Sequence, residues 1–298
     1  MSTFLLASAD PVAHVINHPF WISEGGWWLW STAQSNMVIT SLIMLFGGLI
    51  VAKAVATGNE GDGHARWITK SRFAHMIEVI CGYLRESTVR PLLHERTDRF
   101  MPFLWTIFFF ILINNLLGLV PLLDAHDILA PGMVAEHRAF VGGTATQSIY
   151  ITAALSLLAG LMINWAGLRE LGPAGYLKHL TADAPIFVWP IIIPIEILGT
   201  FIKPIALSIR LFANMTAGHI LVAVLLGFAA DGFRNLGFIG LPVGVISSVA
   251  VIAIYFLELF VAFLQAFVFM FLTTVFISLL AHHGEHETAH DLAEAGLA

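Results

Sequence analysis

Charged residues are scarce in this sequence of 298 residues. Asp, Glu, Lys and Arg make up 11% of it, whereas hydrophobic residues make up 58%. A water-soluble domain carries about 25% charged residues, so this chain has too little polar surface to cover a body exposed to water. Two long runs, 35–52 and 101–123, contain no charged residue. Runs of this length can cross the hydrocarbon core of a bilayer, which is about 30 Å thick.

Other absences narrow the class of protein further. The single cysteine, Cys81, excludes a disulfide framework within the chain and a cysteine-based metal cluster. Basic residues are too dispersed for a nucleic-acid-binding surface. The zinc-protease, nucleophile-elbow and phosphate-loop motifs are missing, so we expect no catalysis by the chain alone. Strand-like alternation is also missing. We therefore expect an all-α integral membrane protein without a cofactor or a metal.

Composition divides the chain into five regions. We predict an outer N-terminal segment (1–34), a first transmembrane helix (35–55), a cytoplasmic connector with an amphipathic surface helix (56–99), a membrane-embedded domain (100–281) and a polar C-terminal tail (282–298). The tail is rich in histidine, which resembles a metal-binding tract, but a solvated tail is the simpler interpretation.

We predict about five membrane passages, the last two unusually long. After spans near 100–123 and 146–168, two apolar stretches cover 185–228 and 242–281. A helix of 40 residues would reach about 60 Å, twice the thickness of the bilayer core. We therefore expect two long, strongly tilted helices packed as a hairpin, the first of them bent by its prolines.

The distribution of basic residues predicts the orientation in the membrane. Eight of the 14 Lys and Arg residues lie between Lys53 and Arg99, and the later loops hold one or two each. The positive-inside rule places such a connector in the cytoplasm. Five passages then put the N-terminus outside and the C-terminus inside.

The fourth passage carries charges where a membrane helix rarely has them. Glu196, Lys203 and Arg210 are seven residues apart, so they share one helix face, and Asn214 lies close to that face. His219 is nine residues past Arg210, on the opposite side. An Arg or Lys near the bilayer centre costs about 2.5–3.5 kcal/mol on insertion scales, so such residues normally face a partner or a water-filled cavity.

The last passage adds Glu258, its one charged residue, and Gln265 on the same face. Glu258 and His219 can both exchange protons, whereas the guanidinium of Arg210 stays charged at working pH. We therefore expect Arg210 to be an electrostatic gate and His219 with Glu258 to form a proton relay.

Simpler interpretations of these residues stay open. Arg210 could extend its guanidinium to an interface. Lys203 could be an interfacial residue, and Glu196 could form a salt bridge with it. His219 could be a hydrogen-bonded packing residue. An acid among the aromatic and aliphatic neighbours of Glu258 is harder to explain without a function.

Two strings resemble signatures of the a subunit of F-type ATP synthases. The first is the run 209–219, IRLFANMTAGH, and the second is the run 263–269, FLQAFVF. The family also matches at Glu196, Lys203 and Pro204. A third motif of the family, in its first hairpin, is similar to the residues Asn115, Gly118, Leu119 and Pro121. The resemblance covers about residues 70–281.

The resemblance implies a stator subunit of the membrane sector. Its two long helices would pack against a rotating ring of c subunits, and two proton half-channels would meet that ring on either side of Arg210. Gln265 would face Arg210, and Asn214 would line a half-channel with Glu196 and Lys203. Other partners would be the b and b′ subunits of the peripheral stalk, the rest of the ATP synthase and the lipid bilayer.

The alternative function is a stand-alone ion-coupled secondary transporter, which would bind its substrate at broken helices related by internal repeats. We find no repeat between the two halves of the sequence. The expected location is a bacterial inner membrane, with the mitochondrial inner membrane as the alternative. The coupling ion, H⁺ or Na⁺, would be selected mainly by the partner ring.

Overall fold

The computed structural model describes residues 19–22, 28–55, 69, 71–120, 145–180, 187–234 and 237–294. Its long helices are α1 (Thr32–Val55), α4 (Thr97–Leu119), α5 (Ile149–Leu180), α6 (Trp189–Arg234) and α7 (Gly237–Glu294). Shorter elements precede α4: α2 (Arg72–Tyr83), a π-helical segment (Leu84–Val89), α3 (Arg90–Leu93) and a 3₁₀ turn (His94–Arg96). A second 3₁₀ turn, Ala145–Gln147, precedes α5.

Within the described ranges, five helical segments are long and apolar enough to cross a membrane. They are Thr32–Val55, Arg72–Leu119, Ile149–Arg169, Ile205–Phe233 and Gly240–Leu279. The predicted all-α class with five candidate passages is confirmed. The region 242–281 lies within one continuous helix, as expected, and that helix extends to Glu294. The tilt of the last two helices in a bilayer stays a prediction.

A small antiparallel β pair leads into α1. Strand β1 (Pro19–Ile22) pairs with β2 (Trp28–Ser31), which the sequence pattern did not predict. Ser31 donates its backbone N–H to Oε1 of Gln34 at 2.8 Å, as in a capping box. Trp30 donates its indole N–H to Ser35 at 2.6 Å. These bonds satisfy polar groups at the helix start, so α1 begins at Thr32 rather than at residue 35.

The connector before α4 changes helical type several times. The side chain of Ser71 accepts a hydrogen bond from the backbone of Ala74 and caps α2. At the end of α3, His94 has φ 46° and ψ −120°, a conformation that only glycine adopts easily. Ser278 of α7 donates to the backbone carbonyl of Leu92 at 2.8 Å, which holds this turn against the last helix.

Helix α5 is interrupted at Gly172. This residue has φ 69° and ψ 171°, which is open to glycine but strained for other residues. Tyr176 donates its hydroxyl to Oδ1 of Asn164 across the interruption. The apolar passage therefore ends near Arg169, close to the predicted end at residue 168, although helix continues to Leu180.

The contacts between backbone positions divide the chain into two compact units. The first comprises Met1–Ser41, Phe110–Thr152 and Ser208–Ala266, and the second comprises Leu42–Phe109, Ala153–Leu207 and Phe267–Ala298. The second unit contains the connector and a core that includes Phe100, Leu104 and Phe108, each almost fully buried. Charged surface pairs such as Arg85 with Asp98 lie at its exposed side. The first unit contains most of the residues singled out from the sequence.

Glycines allow α6 and α7 to meet closely in the first unit. A Cβ added at Gly232 would lie 2.6 Å from the backbone nitrogen of Gly244 and 2.9 Å from the carbonyl oxygen of Gly240. Neither backbone atom can move aside without moving its helix. The start of α7 therefore packs directly on the end of α6.

We predict that Gly232→Ala destabilises the hairpin by about 1–3 kcal/mol, because the added methyl overlaps backbone. The measurement is thermal unfolding of the purified protein complex in detergent. Gly227→Ala is the matched control, because a Cβ at Gly227 meets nothing within 4 Å. It should leave the protein as stable or slightly more stable, since alanine favours helix over glycine by about 1 kcal/mol. Equal unfolding temperatures for the two variants would refute the close packing.

Candidate functional site

The site lies on the hairpin formed by α6 and α7. Three contacts join these two helices: Asn214 with Gln265, Gly218 with Glu258 and Gly232 with Gly244. As the residue number rises along α6, the number of the partner residue on α7 falls. The pairing is therefore antiparallel. It brings the two polar positions of α7 against the polar segment of α6 that follows Arg210.

Glu258 is buried, and the part of the chain that the structure describes gives its carboxyl group no polar partner. Its residue is 7% exposed, and neither carboxyl oxygen has a hydrogen-bond partner among the residues that the structure describes. Apolar neighbours on α7, Leu257 and Leu259, point outward and are 53% and 47% exposed. Burying a carboxyl group without a hydrogen bond is unfavourable. A carboxyl group can therefore be buried at this position in the hairpin only if it is hydrated or protonated.

Gly218 provides the space for this carboxyl group. A Cβ built on Gly218 would lie 2.5 Å from Oε1 of Glu258 and 3.3 Å from Cδ. The absence of a side chain at 218 therefore lets the carboxyl group rest on the backbone of α6. Sequence reasoning missed Gly218, although a glycine directly before His219 in a long helix was the available signal.

Asn214 and Gln265 form a hydrogen bond between the two helices. Nδ2 of Asn214 donates to Oε1 of Gln265 at 2.9 Å. Gln265 is 2% exposed, and its Nε2 has no partner within the described part of the chain, whereas Asn214 lies at the surface of the unit. The structure therefore joins Gln265 to the residue one turn beyond Arg210. A direct approach of Gln265 to Arg210 stays a prediction.

Arg210 lies on an exposed face of α6. Its neighbours Ile205 and Ile209 are each 54% exposed, so the guanidinium belongs to an apolar outer surface. Among the residues described, none forms an ion pair or a hydrogen bond with Arg210. Leu207 and Leu211, on either side of it in sequence, are buried. This helix therefore turns an apolar side inward and presents its arginine outward.

His219 is half-buried, in contrast to Arg210. The structure thus gives the two residues different surroundings on one helix, as the nine-residue spacing predicts. Glu196 and Lys203 lie within α6, but their side chains are outside the part that the structure describes. The roles predicted for these two residues stay predictions, as does the salt bridge between them. The side chains of the histidine-rich tail likewise lie outside the described part.

Further polar groups are buried in the first unit, and the sequence argument did not single out most of them. Two helical hydroxyls, those of Thr40 and Thr216, are buried with no hydrogen-bond partner in the described residues. Threonine in a helix can satisfy its hydroxyl by bonding to the carbonyl one turn back, as Thr273 and Thr274 do at 2.8 and 2.9 Å. The unpaired hydroxyls are therefore candidates for contact with water.

Three more polar contacts join separate elements of this unit. Ser208 of α6 donates to the hydroxyl of Thr152 on α5 at 3.1 Å. Asn115 of α4 donates to the backbone carbonyl of Ala262 on α7 at 3.4 Å and accepts from Thr146 at 2.8 Å. A polar residue inside an apolar run was the available signal for Asn115, Thr152 and Ser208, whereas Thr146 lies in a polar stretch that gave no such signal.

The described residues contain no group of three His, Cys, Asp or Glu side chains that could hold a metal ion. The arrangement instead combines a permanent surface cation, a buried acid, a half-buried imidazole and a set of buried amides and hydroxyls. Such a set can move protons through water and side chains, and it can present a fixed positive charge to a neighbouring protein.

Comparison with known proteins gives a consistent family. The family model described as ATP synthase A chain matches residues 36–278. The "ATP synthase subunit a" of Myxococcus xanthus is 37% identical over 263 residues, covering 86% of this chain and 77% of its own length. The "ATP synthase subunit a 2" of Chlorobaculum tepidum is 36% identical, covering 84% of this chain and 64% of its own length.

A third relative, the "ATP synthase subunit a" of Anaeromyxobacter dehalogenans, is 39% identical over 229 residues. This chain spans 53% of that relative's length. The region that the family model matches, residues 36–278, contains both long helices up to Ser278 and every side chain of the site. The chain belongs to the ATP synthase A chain family.

Proposed function

We propose that this chain is the stator subunit of the membrane sector of an F-type ATP synthase, where it forms two proton half-channels against a rotating ring of c subunits. The observation that carries the proposal is the buried carboxyl group of Glu258, which has no hydrogen-bond partner among the described residues and lies on the same hairpin as the exposed Arg210. The chain would not catalyse ATP synthesis itself. It would couple proton flow to rotation, and the catalytic sites would lie on other subunits.

The permanent charge of Arg210 and its place on an exposed apolar face favour a partner protein that carries carboxyl groups. A guanidinium does not lose its proton at working pH, so it cannot act as an ordinary relay. It lies on a face with exposed isoleucines, which lipid or an apolar helix would cover. A charge in such a place is normally paired. A ring of helices, each with one carboxyl group at membrane depth, would supply both the apolar contact and the counter-charge.

The charge of Arg210 would also couple proton flow to movement of the ring. A protonated carboxyl group of the ring can move through lipid, whereas an ionised one is held near a positive charge. As a ring carboxyl group approaches Arg210, its proton would leave to one half-channel. Once past Arg210, the carboxylate would take a proton from the other half-channel. The fixed guanidinium would keep protons from passing directly between the two channels.

The buried polar groups of the first unit support a hydrated route. Polar atoms of Thr40, Thr216, Glu258 and Gln265 are buried without partners among the described residues. Each such group costs about 1–3 kcal/mol unless it is satisfied, and buried water is the usual remedy. Glu258 and the neighbouring His219 would then exchange protons with this water, and Asn214 with Gln265 would line the route near Arg210.

The distribution of basic residues supports an orientation in the membrane, and membership of the family supports the other partners. The basic connector would lie in the cytoplasm, with the N-terminus outside and the C-terminus inside. The relatives named above are bacterial, which supports a bacterial inner membrane. The b and b′ subunits would contact the exposed apolar helices. Glu196 and Lys203 would line the channel on the preceding turns of α6.

A stand-alone transporter is the alternative function, and purification separates the two. A stator should copurify with small subunits that carry a membrane carboxyl group and should need them for proton flux. A transporter should move ions alone in liposomes. The long helices of the hairpin contain no break at Glu258 or Arg210, whereas the transporter alternative would place its binding site at broken helices.

We predict that Arg210→Ala abolishes ATP synthesis driven by a proton gradient, because the ring carboxyl groups lose their gate. The measurement is synthesis in membrane vesicles, with assembly checked by copurification of the other subunits. Ile209→Ala, a change at an exposed neighbour, is the control and should retain synthesis. Proton-driven synthesis by an assembled Arg210→Ala complex would exclude the proposed gate.

We predict that Glu258→Gln slows proton flux by about 100-fold, the usual contribution of a positioned proton-transfer group. Glutamine keeps the size of the side chain but cannot carry the proton. Flux is measured with a pH-sensitive dye in vesicles. Ser247→Ala, at a polar residue of α7 that is equally buried at 7%, should leave the flux near its original value. If Glu258→Gln conducts normally, Glu258 is not part of the relay.

We predict that Gly218→Ala lowers proton flux without lowering stability. The new methyl would displace the end of a flexible side chain, Oε1 of Glu258, rather than backbone. The helix itself would gain up to about 1 kcal/mol from alanine. The two measurements are flux in vesicles and thermal unfolding in detergent, with Gly227→Ala as the control. The double variant Gly218→Ala, Glu258→Asp has a shorter acid and should recover part of the flux. Unchanged flux in Gly218→Ala would count against a role for the contact between Gly218 and Glu258.

A further inference from the structure

Asn115 joins three distant segments of the first unit. It lies in α4 and is fully buried. Its Nδ2 donates to the carbonyl oxygen of Ala262 in α7 at 3.4 Å, and its Oδ1 accepts the hydroxyl proton of Thr146 at 2.8 Å. Thr146 is also fully buried, in the 3₁₀ turn before α5. One amide therefore connects the second candidate passage, the turn before the third and the last helix.

Ala262 occupies a particular position on α7. It is four residues past Glu258 and three before Gln265, so it lies within one turn of each and shares their buried face. Its own side chain is fully buried and small, which leaves room for an amide to reach the backbone. A carbonyl oxygen has two lone pairs, so it can accept from Asn115 as well as from its own helix.

Hydrogen bonds such as the one from Asn115 are needed to fix the rotation and the axial position of α7. Most of the helix surface is aliphatic or aromatic, and the hydrophobic effect is non-directional, whereas a hydrogen bond depends on angle. The amide of Asn115 holds the helix from α4, and the amide of Asn214 holds Gln265 from α6 at 2.9 Å. Because hydrogen bonds weaken steeply with distance and angle, two of them within four residues define how far α7 can turn or slide.

We infer that Asn115 and Thr146 are positioning residues for the proton relay. They hold the turn of α7 on which Glu258 faces Gly218 and Gln265 meets Asn214. Neither side chain titrates, so neither carries the proton; they act through the placement of Glu258. This inference rests on the proposed function and adds to it a requirement for residues outside the α6–α7 hairpin.

The neighbouring residue provides a matched control. Asn114 has the same chemistry and similar burial, at 1% exposed, but its Nδ2 donates to the carbonyl of Phe110 within its own helix at 2.9 Å. Asn114→Leu and Asn115→Leu therefore remove the same group from adjacent buried sites. Among the described residues, only the second removes a hydrogen bond to α7.

The experiment compares these variants in the assembled complex. Proton flux in membrane vesicles is measured across a range of pH. Asn115→Leu should lower the flux by about 10- to 100-fold, the scale expected for a misplaced reacting group. It should also displace the midpoint of the pH profile, because that midpoint depends on the surroundings of Glu258 and His219. Asn114→Leu should keep the original midpoint.

Thr146 gives an independent arm in case Asn115→Leu does not assemble. Thr146→Val keeps the size and shape of the side chain but removes the donor to Asn115, so it should reproduce the displaced midpoint. Thr146→Ser restores a hydroxyl and should restore the profile. In a Glu258→Gln background, Thr146→Val should produce no further change in the profile.

The outcomes separate this inference from the proposed function. If Arg210→Ala abolishes coupled synthesis while Asn115→Leu and Thr146→Val keep the original flux and midpoint, the positioning role is wrong and the stator function stands. If the Asn115 and Thr146 variants only reduce amplitude, with an unmoved midpoint and no rescue by serine, the positioning role is also wrong. If Arg210→Ala retains coupled synthesis, the proposed function itself fails.

Discussion

A buried carboxyl group inside an apolar helix pair is the constraint on which the rest of this structure depends. Glu258 has no hydrogen-bond partner among the described residues, yet it is 7% exposed on a helix of aliphatic and aromatic residues. An acid in such a place is unfavourable unless it is protonated, hydrated or both. A leucine would pack more easily at this position, so the presence of an acid supports the proposed proton exchange.

Small residues and amides make this arrangement possible. Gly218 leaves room for the carboxyl group, and Gly232 lets the two helices approach at backbone distance. Amides at Asn115 and Asn214 then fix the helix by hydrogen bonds to Ala262 and Gln265. The packing of a membrane helix pair generally relies on small residues and on polar contacts in this way. Here the same features place a titratable group beside the helix that carries Arg210.

Much of this architecture could be predicted from the sequence because the signals are strong. Long uncharged runs locate the passages, and the seven-residue spacing of Glu258 and Gln265 puts both on one face. The contact between Asn115 and Ala262 could not be predicted, since it joins residues 147 positions apart through a backbone carbonyl. Helix α1 also begins at Thr32 and not at residue 35 as predicted, because a local cap at Ser31 and Gln34 extends the helix. The interruption at Gly172 depends on one backbone angle, which the glycine alone does not specify.

The central claim is that Arg210 pairs with carboxyl groups of a rotating partner at membrane depth. A cryo-electron microscopy map of the assembled complex in a lipid bilayer tests it most directly. The guanidinium should lie within about 4 Å of a ring carboxylate, the limit of an ion pair, and ordered water should lie at Glu258. A guanidinium directed toward the lipid headgroups, away from any carboxyl-bearing helix, would contradict it.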